Sequence, residues 1–110
     1  MINIILLLLT CFIQPVANGT ASYYTVKSSG TITASGERMD DNKLTCAMKT
    51  GELGSYVLVV LKDDPTKFVT CRQNDRGPYI KGRIIDLSQK AIRKLHPTEG
   101  LLQVRVYRLW

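Results

Sequence analysis

The segment Tyr56–Leu61, YVLVVL, constrains the fold more than any other stretch. Its six residues are β-branched, aromatic or leucine, with no helical period. Such a continuous apolar run reads as a strand buried on both faces. Lys62-Asp63-Asp64-Pro65 then turns the chain, because Asp and Pro favour tight turns. Residues 67–72 (KFVTCR) return as the hairpin partner. Residues 21–26 (ASYYTV) predict a first strand, and 31–34 a short one. Residues 37–43 are polar and read as loop, and 44–48 as a buried segment. Residues 100–109 alternate, with Leu102, Val104 and Val106 on one face and Gln103, Arg105 and Tyr107 on the other.

One helix interrupts the strands. Leu87, Ala91, Ile92 and Leu95 fall on one face at helical spacing. Asp86 is placed to cap it, with Gln89 reaching back, and His96-Pro97 ends it. Several short strands with one helix predict a small closed β-barrel. A chain of 110 residues holds one such domain. No GxGxxG or GxxxxGK[ST] occurs, so nucleotide-binding βαβ folds are excluded.

The opening run from Ile2 to Ile13 is almost wholly apolar. A membrane span needs about 20 residues, whereas a signal-peptide core needs about 7–15. Ala17-Asn18-Gly19 then offers small residues for cleavage. The expected division is a leader over 1–19 and a barrel over 20–110, exported to the periplasm or cell exterior. Cys11 follows Leu8-Leu9-Thr10, a poor lipid-attachment context, so it reads as part of the leader. Two cysteines remain, Cys46 and Cys71. In an exported small domain they predict one disulfide, the alternative being two buried free thiols. One histidine and no CxxC spacing give a thin basis for zinc. The net charge of +6 favours an anionic partner. No interleaving of aromatic and basic residues points to nucleic acid. A monomer without a membrane span is expected.

Four motifs occur in order: TASGE at 33–37, LTCAMKT at 44–50, NDRGP at 74–78 and GRIIDLS at 82–88. Together they resemble the rare lipoprotein A family of double-psi β-barrels, and the barrel is similar to the core of expansins, barwins and some endoglucanases. The resemblance implies a six-stranded double-psi β-barrel with one short helix. It also implies an endolytic lytic transglycosylase of peptidoglycan, which cuts between N-acetylmuramic acid and N-acetylglucosamine and leaves a 1,6-anhydro end.

That chemistry needs a carboxylic acid that protonates the leaving oxygen and then takes a proton from the sugar's own 6-hydroxyl. It calls for no metal or organic cofactor. Asp75, in a Gly-Pro loop, is the candidate acid/base, and its competing role is to cap the turn at Arg76-Gly77. The resemblance makes Glu37 an auxiliary acid and places Asp86 along the polysaccharide groove. Arg76 is the charge partner or substrate clamp. Tyr24 and Tyr79, with Tyr23, are candidates to stack on sugar rings. Lys81, Arg83 and Arg72 are candidates for the lactyl carboxylates of the glycan. Met48 stands where the family usually has a histidine, and methionine neither titrates nor donates a hydrogen bond. A non-catalytic wall-binding module of expansin or barwin type is therefore the alternative.

Overall fold

The structure is a computed structural model, and it describes residues 14–109. The strands are β1 (Ala17–Tyr24), β2 (Thr45–Ala47), β3 (Tyr56–Leu61), β4 (Phe68–Asp75), β5 (Arg83–Ser88) and β6 (Leu102–Arg108). They close into a barrel in the order β1-β5-β2-β4-β3-β6. Two neighbouring pairs, β1 with β5 and β2 with β4, are parallel, and the other four contacts are antiparallel. Closure removes sheet edges, so every strand has two partners. Two helices complete the described residues, the single turn α1 (Val26–Ser29) and α2 (Gln89–Leu95).

The expected hairpin forms, with Val59 opposite Val69. The β6 alternation holds as well: Leu102, Val104 and Val106 are buried. In β3, however, only Val57 and Val59 are buried, and the other four residues are half-buried. A strand in a single-walled barrel has just one inner face. Ala21, Ile85, Leu87, Val104 and Val106 fill the interior from other strands. Each such Val, Leu or Ile contributes roughly 1.5–3 kcal/mol by leaving water. Helix α2 packs Ala91, Ile92 and Leu95 onto this core.

Three boundaries differ from the sequence reading. Ser88, not Asp86, caps α2, its hydroxyl accepting from the Ala91 N–H. Asp86 and Leu87 belong to β5 instead, because both sit in the ladder against β2. Residues 31–34 form no strand and keep only an isolated bridge between Ile32 and Arg38. Strand β1 begins at Ala17, with Ala17, Asn18 and Gly19 paired to Val106, Arg105 and Val104. The apolar leader core and Cys11 lie outside the described residues.

The expected disulfide is absent, and Cys46 and Cys71 are both buried free thiols. Cys46 is in register with Gln73 on the neighbouring strand, so Cys71 stands two residues away diagonally. Strand spacing and rise put that diagonal at about 8 Å, beyond the roughly 7 Å reach of a disulfide between Cα atoms. The hydrogen bond with Cys46 and burial push the Cys71 thiol well above its usual range.

Candidate active site

The C-terminal ends of β2, β4 and β6 and the N-terminal ends of β1, β3 and β5 share one end of the barrel. Ala47, the last residue of β2, is in register with Asp75 on one side and Asp86 on the other. The ladder thus sets two carboxyls at one height, although they belong to different motifs.

Asp75 Oδ1 accepts from the Ala34 and Arg76 backbone N–H groups, both at 2.9 Å. Asp75 therefore fixes its own turn, the competing role expected for it, and it stands at the barrel end. The Ala34 bond also docks the loop that carries Glu37, and Ser35 N–H donates to Asn74 O at 3.0 Å. Asn74 Oδ1 is buried with no hydrogen-bond partner among the described residues. Such an atom costs roughly 1–3 kcal/mol.

Asp86 accepts from the Ser22 hydroxyl at 2.7 Å. Burial holds its carboxyl above the ordinary aspartate range, and the charge of Asp75 adds to this, while Ser22 and Arg83 oppose it. Glu37 differs. Both its oxygens accept from the Arg72 guanidinium, and Oε1 also accepts from Ser35 Oγ at 3.1 Å. The Arg72 bonds hold this carboxyl below the ordinary range. Glu37 is thus kept charged, and Arg72 is engaged with it.

The aromatic expectations divide. Tyr24 is not available for stacking: it is buried, and its hydroxyl pairs with Thr45 Oγ1 at 2.7 Å. Burial holds its phenol well above the usual range. Tyr23 is the exposed neighbour, with the Arg93 guanidinium carbon 5.3 Å from its ring centroid. Tyr79 is 76% exposed in the loop after Asp75. Arg76 is half-buried and reaches the Met48 carbonyl at 3.5 Å, and Lys81 is exposed.

Met48 is buried in the core, and its N–H donates to the Asp75 carbonyl at 3.2 Å. No histidine replaces it among the described residues. His96, the single histidine of the sequence, accepts from Thr98 and Glu99 N–H groups through Nδ1 in the turn after α2. The sequence reading did not find Ser22, Lys49 or Arg108. Lys49 and Arg108 lie far apart in sequence, yet with Arg83 they line one cleft at this end of the barrel.

A family model described as lytic transglycolase matches residues 16–106. The chain belongs to the lytic transglycolase family. Among curated relatives, an endolytic peptidoglycan transglycosylase RlpA of Pasteurella multocida is 49% identical over 71% of this chain. The RlpA of Pseudomonas aeruginosa strain UCBPP-PA14 is 47% identical over 80%, and that of Haemophilus influenzae 39% over 86%. The chain spans only 26%, 26% and 33% of these relatives' lengths. Among solved structures, the Streptomyces papain inhibitor aligns with a TM-score of 0.67 at 22% identity, covering 89% of this chain and 99% of that one. Apo expansin of Clavibacter michiganensis aligns at 0.63 and 18% identity, covering 84% of this chain and 50% of that one. These two likenesses bear on fold alone. The fold is the expected double-psi β-barrel.

Proposed function

We propose that this protein is an endolytic lytic transglycosylase of peptidoglycan glycan strands. The observation that carries the reading is the pair Asp75 and Asp86, set on either side of Ala47 at the end of a barrel of this family. Its relatives bear the name of that activity.

In this reading Asp75 gives its proton to the leaving glycosidic oxygen as the bond to the muramic C1 breaks. The resulting carboxylate then takes the proton of the sugar's 6-hydroxyl, whose oxygen bonds to C1 and closes the 1,6-anhydro ring. No water enters, and Asp75 ends protonated, as it began. Asp86 supplies the neighbouring carboxyl, whose ionisation is disfavoured once Asp75 has given up its proton. Glu37, clamped by Arg72, positions the loop whose Ala34 N–H holds Asp75. Tyr79 offers an exposed ring for stacking on a sugar.

Export fits a wall substrate. The three ladder pairs made by residues 17–19 favour leader cleavage upstream of Ala17 rather than after Gly19.

Incubation of purified sacculi with the protein tests the proposal. Soluble fragments ending in 1,6-anhydro-N-acetylmuramic acid, read by mass spectrometry, are expected. Met48 favours a second reading, a wall-binding module. That module would sediment with insoluble glycan and create no new ends.

A further inference from the structure

A cleft of about 230 Å³ opens at the same end of the barrel as the two aspartates. Met48, Ile84 and Ala17 give it an apolar wall, and Lys49, Arg83 and Arg108 give it three positive charges. Met48 links it to Asp75 through the N–H bond to the Asp75 carbonyl. Arg83 links it to Asp86, whose carboxyl feels the guanidinium charge.

Arg108 is held in place. The Arg108 guanidinium donates to Ser55 Oγ at 2.7 Å and to Gln73 Oε1 at 3.2 Å. Gln73 is fully buried, and its amide donates to the Thr50 carbonyl at 2.7 Å. Both partners of Arg108 are neutral. Among the described residues none of the three cations has a carboxylate within ion-pair distance. Like charges facing one small cleft repel each other, and an entering anion relieves that repulsion.

We infer that this cleft is a subsite for a carboxylate carried on a methyl-bearing carbon, as in the lactyl group of a muramic residue whose carboxyl is not tied up in a peptide amide. The inference rests on the proposed glycan substrate and deepens it. The apolar wall receives the methyl group, and the three cations receive the carboxylate. A cleft of this size lies below the roughly 300–1,000 Å³ of sites for whole small molecules, so it takes a substituent while the sugar ring stays in the groove. The same methyl-and-carboxylate chemistry occurs at the end of an alanine-terminated peptide. The shared barrel end with both aspartates favours the sugar-borne group.

Titrations followed by amide chemical shifts test this without any bond cleavage. N-acetylmuramic acid is expected to move the signals of residues 49–51 and 83–84. Its affinity should exceed that of N-acetylglucosamine by about tenfold, the scale of one charge-assisted hydrogen bond. Lys49→Glu, at an exposed position, should abolish that preference, and Arg83→Gln serves as an independent variant. Equal affinity for the two sugars, or a preference that survives both variants, would overturn the subsite. Tighter binding of D-alanyl-D-alanine at the same signals would overturn the assignment to a sugar. A protein that binds N-acetylmuramic acid here but cleaves neither sacculi nor peptide-free glycan strands would contradict the proposed activity and leave the subsite standing.

Discussion

Asp75 and Asp86 stand at one height on either side of β2, each in register with Ala47. Two strand spacings of about 4.8 Å put their backbones about 10 Å apart, close enough for one charge to act on the other. Burial and the charge of Asp75 both raise the Asp86 carboxyl. Asp75→Asn removes the second contribution and keeps the acceptor for the Ala34 N–H. The midpoint of Asp86, followed by carboxyl carbon shifts, should therefore fall in this variant. An unchanged midpoint would show that the two groups are electrostatically independent.

The Glu37–Arg72 pair gives a pH-dependent contribution of known sign. The folded Glu37 carboxyl lies below its ordinary value. Its contribution is therefore full above the ordinary glutamate range and is lost as pH falls through the folded value. The pair is about one-third exposed, which limits it to about 1 kcal/mol or less. Glu37→Gln should lower the melting temperature at neutral pH by at most about 4–8 °C. The gap to wild type should close under acid conditions. A gap independent of pH would mean that the ion pair is not its source.

Gly51 is required by space and by conformation. Its φ is +94°, and an added Cβ would lie 2.3 Å from Arg108 Nη2 and 2.7 Å from Gln73 Oε1. Gly51→Ala should cost roughly 1–3 kcal/mol for the left-handed backbone, read as a lower urea midpoint. It should also displace the Arg108 guanidinium and weaken anion binding in the adjacent cleft. A variant with unchanged stability would contradict the packing of Gln73 and Arg108 beneath this turn.

Much of the barrel was legible in the sequence because its signals are local. The Asp63-Asp64-Pro65 turn fixed the hairpin, and Leu102, Val104 and Val106 displayed the period of β6. The start of α2 was not legible, since Asp86 and Ser88 are both good caps and only the ladder to Ala47 decides between them. Tyr24 rather than Tyr23 is the buried member of its pair, and which of two adjacent tyrosines is covered depends on tertiary packing that composition does not encode. The continuous apolar run of β3 overstated its burial, since period alone does not tell one inner face from two. NDRGP marked Asp75, but its nearness to Asp86 arises from the parallel pairing of β2 with β4. The cleft of Lys49, Arg83 and Arg108 depends on closure of β6 against β1 and β3. No local pattern encodes that.

The direct test is the rate at which wild type and Asp75→Asn release 1,6-anhydro ends from purified glycan strands, both variants being folded by circular dichroism. Wild type should generate these ends, and Asp75→Asn should do so at least about 100-fold more slowly, the scale of a lost acid/base group. Equal rates in the two proteins, or no anhydro product from folded wild type, would contradict catalysis by Asp75.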